Sequence, residues 1–225
     1  MQMPTAVTLP RLQRQAPGSY RSRAAILANN SLVVACGALA NELYTIKAMN
    51  NWNHFDVQCL DAKLHNQPAL IAPRLEEVIA ATGGDYEQIL IGYADCGSNG
   101  AIDALVDADP RLQRLSGPHC FSFFMGESEF ERLSDQEPGT FWMTDFLVRH
   151  FDSMVIRNLG LDRHPELRDS YFGNYTNLTY ISQRQDESIV NAAKVCAERL
   201  ALDFRHIHTG FGTLERALIV QEIAE

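Results

Sequence analysis

The sequence predicts an α/β protein built on a Rossmann-like, mainly parallel sheet with helices on both faces. Three observations carry this. Short apolar runs rich in β-branched residues alternate with amphipathic stretches about six times, the pattern of linked βα units. Glycine or proline marks many of the changes from one type to the other. The 225 residues are enough for a sizeable core, and a composition of 46% hydrophobic and 21% charged residues is that of a soluble globular protein.

Taken in order, "SLVVA" is a β-branched strand ended by Cys36-Gly37, and "ALANELYTIKAMNNW" is a helix. "FDVQCLDA" is a second strand, followed by the loop "KLHNQP". "APRLEEVIAAT" is a helix with Pro73 near its first turn and Gly83-Gly84 beyond its end. "YEQILIGYA" is a third strand. The loop "DCGSNG" leads from it into the helix "AIDALVDA". "GPHCFSFFMG" is a fourth strand candidate and "ESEFERLSDQ" a short helix. "TFWMTDFLVRHFDSMVIRNLG" starts extended and continues as helix, its aromatics placed in the core. "PELRDSYFGNY" is helix or loop, and its tyrosine-rich continuation lines a pocket or forms a hydrogen-bonded loop. "TNLTYIS" and "DFRHIHTG" are strands, separated by the amphipathic helix "DESIVNAAKVCAERLAL". "TLERALIVQEI" is the closing helix.

The expected organisation is a flexible leader over 1–24 and a single α/β domain over 25–225, with a candidate subdomain seam near 160–175. The leader has no apolar core of the kind a secretory signal needs, and no stretch approaches the roughly 18 apolar residues of a membrane span. A cytoplasmic protein is expected. The net charge is −9 and no Lys/Arg-rich run occurs, so neither nucleic acid nor an anionic membrane is an expected partner. A small-molecule substrate is, and a homo-oligomer is compatible with the sequence.

The five cysteines carry the functional signal. An odd count without an export signal points to metal binding or catalysis more than to disulfides. Cys36 and Cys96 end the first and third strands, and His65 lies in the loop after the second. In an open parallel sheet these loops emerge on one edge, where ligands bind. Cys120 joins them if the irregular "GPHC" loop folds over that edge. Cys36, Cys96, Cys120 and His65 are therefore candidate metal ligands. The expected ion is zinc, or alternatively iron, with His119 as a substitute imidazole. No paired C-x-x-C knuckle is present. Scattered ligands suit a catalytic or substrate-binding ion better than a structural one. Glu42 and Asp95 are candidates to orient a ligand or act as general base. Gly97 and Gly100 are candidates for close backbone approach to a bound molecule. Cys59 and Cys196 are expected to pack in the core. His206 and His208 are expected as a solvent-facing or hydrogen-bonded pair.

"VACG" before a helix, "LHNQPALIAPRLEEVI", "IGYADCGSNGAID", "HCFSFFMG" and "NYTNLTYI" together resemble an uncharacterised family of bacterial and methanogen proteins, a domain of unknown function. The resemblance covers most of the chain after the leader. It implies thiols matching Cys36, Cys96 and Cys120, an imidazole matching His65, and gene neighbours among corrinoid-dependent methyltransferase systems. A corrinoid, carried by a partner corrinoid protein, is thereby implied, and one-carbon metabolism with it.

The expectation is a zinc-type site acting on a thiol or small methyl substrate, with a zinc-dependent methyltransferase the enzyme class favoured. "VACGALANEL" and "ADCGSNGAIDAL" echo one another, which keeps open a metal-free racemase working through Cys36 and Cys96. A non-enzymatic metal- or corrinoid-handling accessory is the third alternative.

Overall fold

The computed structural model describes residues 30–218. The expected leader, and the part of the expected closing helix beyond residue 218, lie outside them. Seven strands form two parallel sheets among the described residues. The first is built from β1 (Ser31–Cys36), β2 (Phe55–Leu60), β3 (Gln88–Gly92) and β4 (Leu112–Arg114), in the order β2-β1-β3-β4. The second contains β5 (Thr140–Thr144), β6 (Asn177–Ser182) and β7 (Asp203–His208), in that order.

The sequence places the central strands. "SLVVAC" is buried at every position, as a parallel strand covered on both faces requires. It pairs Val33 with Val57 on one side and with Leu90 on the other. β6 is likewise central, with Leu178 to Ser182 buried. Between the strands run α1 (Ala40–Met49), α2 (Ile71–Thr82) and α3 (Ala101–Ala108). They bury Leu43, Ile46, Leu75 and Ile102 on the first sheet. α8 (Glu187–Leu200) covers the second sheet with Ala193, Cys196 and Leu200. Asp186 caps it by accepting from Ser188 N at 2.9 Å.

Two local expectations change. The run over 117–126 is not a strand: it forms a turn and then α4 (Ser122–Met125), followed by α5 (Glu127–Gln136). Backbone bonds from Ser122 N to His119 O and from Phe123 N to Cys120 O wind it up. The Ser122 hydroxyl donates to His119 O at 2.6 Å as well. A short apolar run fits a buried strand or a buried helical turn equally, and here the left-handed Gly117 and Gly126 bracket the turn. The fourth strand is instead "LQR", too short to show a period.

The strands also divide between two sheets. The change falls between Arg114 and Thr140. Residues 160–175 hold a 3-10 turn and α7 (Arg168–Phe172), which Arg168 ties to the second sheet's helix by donating to Leu200 O at 2.7 Å. The "TFWMTDF" segment becomes β5 and then α6 (Asp145–Arg149).

Each sheet has its own core, but the two halves are joined. Ile181 and Leu214 come from the C-terminal half and are buried in the first core. Leu214 lies on α9 (Gly212–Ala217), which packs on α4. No helix of the described residues is long and apolar enough to cross a membrane.

Candidate metal centre

Four segments at the C-terminal edge of the first sheet assemble the site. Cys36 ends β1 and caps a 3-10 turn over Gly37–Leu39, where Ala38 N donates to Cys36 Sγ at 3.5 Å. β2 runs into a 3-10 helix over Ala62–Asn66, capped by Asp61 through Lys63 N at 2.9 Å. His65 lies on that helix, its Nδ1 3.7 Å from Cys36 Sγ.

β3 continues through the buried Tyr93 and Ala94 into the third loop. There Asp95 accepts from Gly97 N at 3.2 Å, Ser98 Oγ at 3.0 Å and Gly100 N at 2.9 Å. This coil holds Cys96 at φ +49 and Gly97 at φ +82. A left-handed cysteine costs about 1 kcal/mol or more. It is only 5% exposed, so the strained backbone aims the thiol inward. The chain after β4 runs alongside, Asp95 N donating to Gly117 O and Cys96 N to Pro118 O. Parallel pairing thus extends beyond the sheet edge and brings Cys120 Sγ to 3.5 Å from Cys96 Sγ.

His65, Cys96 and Cys120 present three donor atoms all within 4.8 Å of one another. Two sulfurs on one tetrahedral ion with ~2.3 Å bonds stand roughly 3.8 Å apart, so the thiol pair is already at ligand spacing. Two thiols and an imidazole are the donor set that zinc and iron favour.

The electrostatics point the same way. Hydrogen bonds to Cys120 and then to Cys36 outweigh burial and push the His65 imidazole up to about 10. The Cys96 contact, followed by burial, raises Cys120 well above the usual thiol value, and His65 opposes that rise. Sulfurs around the ring draw a proton to it, and a cation bound at the same place would take over that role. Tyr93, which the sequence did not single out, is also here. Its buried hydroxyl has no partner within hydrogen-bond geometry. Burial, and then the nearby Cys36 thiol, pushes it far up. Its only sequence signal is a tyrosine three residues before Cys96 at a strand end.

The remaining site expectations find other places. Asp95 organises the loop that carries Cys96, with both carboxylate oxygens accepting hydrogen bonds. Gly97 abuts Pro68, which an added Cβ would meet at 3.4 Å, and Gly100 at φ +83 opens α3. His119 lies beside Cys120, its pKa lowered by burial first and then by His65, but it is outside the three-donor group. Cys59 packs against the first core and Cys196 in the second. His206 and His208 both bond Ser182 Oγ at 2.9 Å on the second sheet.

Glu42 borders a different cavity from His65 and Cys120. Its electrostatic neighbours are Asp145, Arg149 and Arg184, not the thiols, because its face of α1 turns toward the second sheet. Burial first, and Asp145 besides, raises its pKa above 4.5. A carboxyl raised on folding contributes stability below its unfolded pKa and loses it as pH climbs through the folded value. Glu42→Gln should therefore flatten the decline above pH 4.5. The slope of stability against pH, read from urea unfolding across pH, checks this. An unchanged pH slope would count against a buried ionising Glu42.

A cavity of about 340 Å³ adjoins the donor group. His65, His119 and Cys120 border it, and its apolar lining includes Leu39, Phe121 and Phe124 from the first half and Phe141, Leu147 and Phe172 from the second. Cys36 is not among its lining residues.

Residues 59–218 match the model of a family described as a protein of unknown function, DUF1638. His65, Cys96 and Cys120 fall inside the matched segment, and Cys36 precedes it. No curated protein and no solved structure matches the chain.

Proposed function

The chain belongs to the DUF1638 family, and for this member we propose an enzyme in which His65, Cys96 and Cys120 hold a zinc-type ion, with the adjoining cavity as the substrate chamber. One observation carries this: two of the three donors border an apolar cavity large enough for a small molecule. A structural ion would be closed off by a fourth protein ligand. Cys36, the fourth candidate, touches the imidazole instead. Its role is to fix the ring from outside the ligand set, as outer partners of metal-bound histidines do.

A bound zinc-type ion supplies the charge that keeps a substrate thiol deprotonated at neutral pH. Methyl transfer is the reaction favoured. The substrate sulfur, its proton released, forms a bond to the methyl carbon. The bond between methyl and donor breaks, its electron pair staying on the donor. A methylated corrinoid presented by a partner protein is the donor class proposed. The thiol neighbours favour the ion over the metal-free racemase: Cys96 lies against Cys120 and Cys36 against His65. An accessory protein that only handles metal or corrinoid would show binding without turnover.

Elemental analysis tests this. Protein purified gently without chelators should carry close to one equivalent of zinc or iron, and less than about 0.2 would sink the proposal. Leu147→Trp should fill the chamber. It should leave the metal content unchanged while weakening uptake of small thiols at least about tenfold, read by titration calorimetry. Unchanged uptake would place the substrate elsewhere.

A further inference from the structure

On the other side of Phe146 is a second cavity, of about 370 Å³, bordered by Asn41, Glu42, Phe146, Arg149, His150 and Arg184. Phe146 borders both cavities. Glu42 is 1% exposed, and neither carboxylate oxygen has a hydrogen-bond partner. Beside it, Asp145 is fully buried. Its Oδ1 accepts from Tyr180 Oη at 2.6 Å and from Gln183 N at 3.1 Å. Its Oδ2 is buried with no partner.

Three buried carboxylate oxygens without donors are costly, and such groups are kept where something else satisfies them. A proton shared between Glu42 and Asp145 Oδ2 would still leave one Glu42 oxygen without a donor. Arg184 is held at the same place, donating to Thr45 Oγ1 at 2.6 Å and Asn41 Oδ1 at 3.2 Å. Arg149, on the exposed end of α6, borders the cavity as well.

We propose that this second cavity binds a free amino acid, its ammonium on Glu42, with Asp145 behind it adding negative charge, and its carboxylate on Arg149 and Arg184. An ammonium brings N–H donors for the two Glu42 oxygens that lack one. A guanidinium is the natural partner of a carboxylate. The two arginines also disfavour a bare divalent cation between the acids. The Phe146 and His150 rings, 4.5 Å apart between centroids, give the side chain an aromatic wall. This site is independent of the metal proposal and shares no donor residue with it.

The test is calorimetric titration of the full chain with the twenty free amino acids as probes. At least one should bind saturably. Removing its amino group, or its carboxylate, should weaken binding at least about tenfold. Glu42→Gln should weaken it about ten- to hundredfold, while Cys96→Ser should leave it unchanged. No saturable binding up to roughly 10 mM overturns the proposal. So does equal affinity for Glu42→Gln, loss of binding in Cys96→Ser, or displacement of the amino acid by magnesium or calcium. If Glu42→Gln does not fold, the exposed Arg149→Gln decides: undiminished affinity for the intact amino acid overturns the proposal, and a loss of about tenfold supports it.

Discussion

Cys120→Ser is expected to strip the purified protein of metal, to below about a tenth of the wild-type content after dialysis. Binding at structural zinc sites is worth about 10–16 kcal/mol shared among four ligands, so losing one thiolate lowers affinity by roughly a hundredfold or more. The comparison that gives this meaning is a series. Cys196→Ser, in the second core, should keep its metal. Cys36→Ser should keep metal but bind it about 10–100-fold more weakly, the size of effect an outer partner has. Competition with a chromogenic chelator reads all three. If Cys36→Ser loses metal as completely as Cys120→Ser, Cys36 is a ligand. The position left open to the cavity is then closed, and the catalytic interpretation fails with it.

Gly212→Ala should be among the most damaging single changes to stability. Gly212 has φ +55, and an added Cβ would overlap the Phe124 carbonyl oxygen. The left-handed backbone alone costs about 1 kcal/mol. Relieving the overlap means lifting α9 from α4, and with it the buried Leu214 that the C-terminal half lends to the first core. The total expected is about 3 kcal/mol, or roughly 6–12 °C in Tm for a chain of this size. Gly160→Ala separates the two contributions. Gly160 has φ +71 with open space beside it, so only the cost of about 1 kcal/mol should remain. Equal losses from the two substitutions would mean that the α4–α9 contact contributes little.

The sequence carried the βα alternation because it is local: "SLVVA", "QILIG" and "NLTYIS" show their burial in their own residues. It also placed Cys36, Cys96 and His65 at one edge, since parallel strands put their C-terminal loops together. What it could not carry depends on contacts between distant segments. The division into two sheets lies in strand order, which no local pattern records. The helical path of Cys120–Phe124 rests on turn bonds that an apolar run does not reveal. Glu42 follows Cys36 by six residues, yet a helix face, not chain proximity, decides which neighbours it meets. The chamber wall of Phe141, Leu147 and Phe172 forms only when the second half closes on the first.

That wall has an evolutionary consequence. The donor atoms come from the first sheet's loops, and most of the apolar lining comes from residues after Thr140. In the proposed site, affinity for the ion would rest on the first sheet's loops, while choice of guest would rest on both halves, with the larger apolar share after Thr140. Drift in that larger share can proceed while the loops are held constant. Homologues could diverge in what they accept by exchanging a few large side chains in the C-terminal half, with the inorganic chemistry inherited intact.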